Sequence, residues 1–218
     1  MRGRVLSSLA RRVGAFLLVL AVVRAVAPVA GAAPPPARDL GQGLAYYRMH
    51  ELPADLPAMP APRACVLDVR YVPVELQAAT AFRAWLTFHA APRAPIFVLA
   101  NAGTGEALLA ALGVGDQRSS FIVVGIAAGN FHPDLAVRAS AADERRAYDA
   151  FEEGVALAAL LADNPDKVRN DEASLSPDRL TEPGPRVAAK DGPAPPPVDA
   201  ALQRAVHLHR ALLALKKI

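Results

Sequence analysis

Three short apolar runs, rich in β-branched and aliphatic residues, punctuate the middle of the chain. They cover residues 64–72 (Ala-Cys-Val-Leu-Asp-Val-Arg-Tyr-Val), 96–100 (Ile-Phe-Val-Leu-Ala) and 121–127 (Phe-Ile-Val-Val-Gly-Ile-Ala). Runs of this length, bounded by proline or glycine, predict buried strands. Between them the period changes. Leu76, Ala79, Phe82, Leu86 and His89 fall near one stripe with Trp85 beside it, which predicts a helix over 76–90. A shorter helix is expected over 106–112, broken by Gly113 and Gly115. Strand, helix, strand, helix, strand with continuously apolar strands is the pattern of parallel βαβ units covered on both faces. The expected fold class is therefore α/β: a small, mostly parallel βαβ sheet flanked by helices, with its core over 64–162.

The flanks read differently. Residues 33–63 are rich in proline and alanine and predict an extended lead-in, with Tyr46, Tyr47 and Met49 docking it on the domain. Residues 143–162 predict one helix, with Tyr148, Phe151, Val155 and Leu161 at helical spacing and acidic residues in its first turn. Residues 163–197 contain eight prolines and predict an irregular segment. Residues 198–218 predict an amphipathic helix whose inner face is Leu202, Ala205, Val206, His209, Leu212 and Leu213.

The N-terminus changes the expected location. Arg2, Arg4, Arg11 and Arg12 precede an uncharged apolar stretch over 13–23, and Ala30-Gly31-Ala32 ends it with small residues. That succession defines a secretory signal. Eleven uncharged residues fall short of the ~20 that cross a bilayer, and Arg24 interrupts any extension. Cleavage after Ala32 and a secreted or periplasmic location are expected, with no membrane span left after cleavage. The first 32 residues hold five basic and no acidic residues, so the remainder carries 19 Lys+Arg against 21 Asp+Glu. A net charge of −2 gives no basic footprint for nucleic acid, so no nucleic-acid partner is expected.

Cys65 is the only cysteine and lies in an apolar run, which predicts a buried, inert thiol and no intramolecular disulfide. His207 and His209 are two apart on a helix and cannot face one ligand. No metal and no cofactor are expected. Candidate site residues concentrate in the turn Asn101, Gly103, Thr104, Gly105 and Glu106, between a buried strand and a helix start. Ligands collect at the carboxyl ends of strands in open α/β sheets, and backbone amides there can hold an anion. The plainer account is that the glycines make the turn and Thr104 caps the helix. Asp68 and Arg70, two apart in one strand, share a side and either pair or line a cleft. His132, followed by Pro133 and Asp134, is the histidine best placed for chemistry.

The succession of 67–71 (Leu-Asp-Val-Arg-Tyr), 95–104 (Pro-Ile-Phe-Val-Leu-Ala-Asn-Ala-Gly-Thr), Glu106 leading a helix, and 122–125 (Ile-Val-Val-Gly) resembles the core of the tail-specific (C-terminal processing) serine peptidases of the ClpP/crotonase superfamily. The helices expected over 143–161 and 198–215 resemble that family's final elements. The resemblance implies a nucleophilic serine three positions before Glu106, where this chain has Gly103, and a lysine base past Gly125, where residues 126–132 contain none. It therefore implies a degenerate, non-catalytic relative that binds a peptide or protein, with the C-terminal helix docking in a homo-oligomer. The alternative is an active hydrolase using Thr104 with His132, which requires the two side chains to meet. The same residues also resemble rhodanese, whose chemistry needs a cysteine where Asn101 stands.

Overall fold

The computed structural model describes residues 36–113, 121–162 and 197–218. Six strands form one sheet in chain order: β1 (Arg38–Asp39), β2 (Ala45–Arg48), β3 (Cys65–Asp68), β4 (Ile96–Leu99), β5 (Ile122–Gly125) and β6 (Leu135–Ala136). β1 runs antiparallel to β2, and every other neighbouring pair is parallel. Five helices are described: α1 (Leu76–His89), α2 (Glu106–Leu112), α3 (Ala141–Glu152), α4 (Leu157–Leu160) and α5 (Ala200–Ala214). The protein is thus α/β with a mostly parallel sheet.

Successive side chains on a strand point to opposite faces, and this sheet buries both. Cys65, Leu67, Ile96, Val98 and Val123 pack on one side with Ala79, Phe82 and Leu86 of α1 and Leu108 and Leu112 of α2. Val66, Phe97, Leu99 and Val124 pack on the other with Ala201, Leu202, Ala205 and Val206 of α5. Each fully buried Leu, Ile or Phe contributes about 1.5–3 kcal/mol, so the two layers supply most of the driving force for this arrangement. The continuous apolar character of β3 to β5 follows from this coverage, since neither face meets water.

Three expectations need correction. Residues 38–48 are not an arm laid on the domain but two strands of its sheet. All four residues of β2 are buried, Arg48 included, so the core begins near Arg38 rather than at residue 64. The helix expected over 143–162 is two helices, because Gly154 adopts φ 94° and ends the first. Leu76 is no part of the inner face of α1; it is 72% exposed, and Ala79, Phe82 and Leu86 define the buried direction. The inner face of α5, as expected from its period, is buried, and it packs on this chain's own sheet. The expected signal sequence over 1–32 and all but the last residue of the proline-rich segment over 163–197 lie outside the described residues.

Candidate functional site

β3 ends at Asp68, and the chain then turns so that Arg70 folds back beside it. Arg70 Nε and Nη2 donate to Asp68 Oδ1 and Oδ2 at 2.9 and 2.6 Å. Its Nη1 and Nη2 also donate to Asp199 Oδ1 and Oδ2 at 3.1 and 2.7 Å. Asp199 is the N-cap of α5 and accepts from Leu202 N, so one guanidinium ties the sheet to the helix covering it. Glu144 on α3 brings a third carboxylate, with Oε1 3.7 Å from Arg70 Nη1 and Oε2 accepting from Asn101 Nδ2 at 2.9 Å. Tyr46 on β2 donates its hydroxyl to Asp68 at 2.9 Å. Arg70 and Asp68 are each 1% exposed, so they line no cleft, and Arg70 stands just past the strand rather than in it.

The electrostatics follow from three carboxylates around one cation in a dry interior. Burial alone raises Asp68, but the charge and hydrogen bonds of Arg70 outweigh it and hold the carboxyl below its ordinary value. Burial raises Glu144 above 4.5, and the Asn101 hydrogen bond and the more distant Arg70 offset only part of that rise. A raised carboxyl contributes stability below its unfolded value and loses it as pH rises through the folded one; a depressed carboxyl does the reverse. Asp68 therefore stabilises the fold above 3.8, and that contribution disappears as pH falls through its lower folded value. Ionising Glu144 destabilises the fold on the way from acid to neutral pH. The variant Glu144→Gln is expected to flatten the decline of stability between mildly acidic and neutral pH, measured as the urea midpoint against pH. An unchanged decline would show that Glu144 is not its source.

The turn after β4 is built for closure rather than anion capture. Gly103 N donates to Asn101 Oδ1, Thr104 N to Asn101 O and Gly105 N to Val72 O, so these three amides are occupied. Thr104 does not cap α2, whose N-cap is Gly105 without a side-chain bond. Its hydroxyl accepts from Asn101 N at 3.1 Å and donates to Val69 O at 3.2 Å, which pins the turn to the end of β3. Tyr71 sits at φ 61°, unusual for a bulky residue, edge-on to Tyr148 at 4.8 Å with Arg145 over its ring at 4.6 Å. Cys65 is buried with its thiol pushed up to about 12, hence inert at neutral pH.

A cleft of about 770 Å³ opens at the carboxyl ends of β4 and β5. Its walls include Ala102 and Thr104 of the turn, Glu106, Leu109 and Ala110 of α2, and Asn130 and Phe131 of the loop after β5. This is where ligands bind in open α/β sheets. Of the expected site residues, Thr104 and Glu106 reach the cleft, while Asn101, Asp68 and Arg70 belong to the buried network. His132 is exposed and does not line the cleft, and no hydrogen bond joins it to Thr104. Among the described residues no group of three or more His, Cys, Asp or Glu is placed to hold a metal ion, and no helix is long and apolar enough to cross a membrane.

Sequence reasoning missed Glu144 and Asp199, and took Tyr46 for an anchor of the lead-in rather than a donor to Asp68. The acidic first turn of α3 was a signal for Glu144. Asp199, directly before an apolar helical period, carried an N-cap signal. The architecture defined here is an α/β domain with a sequentially ordered sheet and a cleft at its strand ends. No protein-family model, curated protein or solved structure matches the chain.

Proposed function

We propose that this chain is an exported, non-catalytic α/β domain of ClpP/crotonase type, a pseudo-peptidase that binds a peptide or protein in the cleft at the ends of β4 and β5. The sequential parallel strands joined through α1 and α2 support the architectural part of this reading. The charged, apolar and small-residue succession over residues 1–32 supports export. The observation that carries the functional part is the state of Thr104, the single hydroxyl side chain lining the cleft among the described residues. It is 4% exposed and its proton is donated to a backbone carbonyl rather than to histidine, lysine or carboxylate. A hydroxyl without a base is a poor nucleophile, which leaves binding as the use of the cleft.

The test has two arms. Purified protein treated with a fluorophosphonate hydrolase probe is expected to remain unlabelled; labelling abolished by Thr104→Ala would make it an enzyme. On an array of unstructured peptides, Ala110→Arg, which fills the cleft from an exposed position on α2, is expected to weaken binding about tenfold or more. Equal binding by both proteins would remove the cleft from the proposal.

A further inference from the structure

At the end of the sheet opposite the cleft, the amino ends of β4 and β5 leave a groove of about 670 Å³. Three segments build it: the turn from α1 into β4, the start of β5, and the end of α5. Ala94 N donates to Ala91 O at 3.0 Å, which makes a tight turn with Pro92 and Arg93 at its tip. Pro92 and Pro95, which have no N–H to satisfy, then stand in the wall. α5 closes with Lys217 N donating to Leu212 O and Lys216 N to Leu213 O, both at 2.9 Å, while Lys216 takes φ 52°. This is a Schellman closure, and it folds Lys217 and Ile218 back beside Leu212.

Ten of the eleven residues lining the groove are Ala, Pro, Ile, Leu or Phe, and Lys217 is the eleventh. Ile96 and Phe121 are buried, whereas Leu215 is 68% exposed, one of three large hydrophobic side chains so placed among the described residues. Ligand sites are clefts of this kind, mostly apolar with a few placed polar groups. The charge is one-sided. Residues 90–96, 121–122 and 212–218 contain Arg93, Lys216 and Lys217, all exposed, and no Asp or Glu. None of these cations has an ion-pair partner among the described residues. A terminal carboxylate at Ile218, counted against them, still leaves the cations in surplus.

An apolar trough beside a cation selects a molecule with a hydrocarbon chain at one end and an anion at the other. A peptide would set its backbone amides against side chains that, Lys217 apart, offer no hydrogen bond. We propose that this groove binds a free long-chain fatty acid, its chain along Phe121, Leu212 and Leu215 and its carboxylate on Lys217. The site is separate from the cleft at the carboxyl ends of the strands, so the fate of either reading leaves the other untouched.

Calorimetric titration of the purified protein with laurate, decanoate and dodecanol tests this. Laurate is expected to bind in the micromolar range. Decanoate, two methylenes shorter, is expected to bind about tenfold more weakly, since each buried methylene is worth roughly fourfold in affinity. Leu215→Ser, at an exposed position, is expected to weaken laurate binding at least fivefold with the thermal midpoint unchanged. Lys217→Gln is expected to weaken it about three- to fivefold, the range of an exposed ion pair, and to leave dodecanol binding unchanged. Absence of laurate binding at about 100 μM overturns the proposal, as does binding indifferent to Leu215→Ser, which places the ligand elsewhere. Dodecanol binding as tight as laurate, with both indifferent to Lys217→Gln, removes the carboxylate from the recognition and overturns it too. Recruitment to phosphatidylglycerol vesicles without uptake of free laurate would assign the basic rim to a membrane surface and equally overturn it.

Discussion

Replacing Arg70 by methionine is expected to lower the unfolding free energy by about 3–5 kcal/mol, because removing one partner of a buried ion pair leaves the other uncompensated. Here the loss strands two carboxylates at once. Asp68 and Asp199 each receive two hydrogen bonds from the guanidinium, and Glu144 lies within 4 Å of it. Lysine at this position is expected to recover only part of the loss, since one ammonium cannot reproduce two forked pairings. The urea midpoint at neutral pH measures both variants. Neutralising the stranded groups with Asp68→Asn and Asp199→Asn in the methionine background is expected to return part of the stability. A loss below about 1 kcal/mol for Arg70→Met alone would mean that water reaches these carboxylates and that the pairing is not a strut.

The second large effect lies between β4 and β5. A Cβ placed on Gly125 would stand 2.0 Å from Ala100 O and 3.1 Å from the ring of Phe131. The oxygen is backbone and cannot swing away. Room for a methyl comes only from parting β4 and β5 where Ala100 N donates to Val124 O, while Val137 N holds Gly125 O from the β6 side. Overpacking of a core costs typically 1–3 kcal/mol and more when backbone must move, so about 3 kcal/mol is expected for Gly125→Ala. For a domain of this size that lowers the melting temperature by roughly 6–12 °C. A shift of under 2 °C would show that the strands separate at this point without penalty.

What could be read from the sequence divides along physical lines. β3, β4 and β5 were legible because burial on both faces imposes unbroken apolar runs, and α1, α2 and α5 because a single buried face imposes a helical period. β2 was illegible for the opposite reason. Its buried positions include Tyr46 and Arg48, whose polar ends are satisfied by Asp68, by Tyr148 O and by Glu152. Such a strand looks like a surface segment until its partners are known. β1 and β6 have two residues each, too few to show a period. The break after α3 was marked by Gly154, and the periodicity on either side of it was misread as continuous.

The site followed the same division. Asp68 and Arg70 carry opposite charges two positions apart, so their pairing lay within reach of local reasoning, although the turn after β3 and not strand alternation brings them together. The other members of the network did not. Asp199 is 129 positions from Arg70, and Glu144 is 43 from Asn101. No local pattern ties groups so far apart. Thr104 shows the converse case: its position in a turn before a helix suggested a cap, but the carbonyl of Val69 was the closer claim on its hydroxyl.

The ends of the sheet bear on whether a further strand can add to it. Open sheets risk growing by edge-to-edge addition, and short edge strands are one of the ways proteins prevent it. Here both margins offer only two residues, Arg38–Asp39 and Leu135–Ala136, which gives an incoming strand almost no ladder to extend.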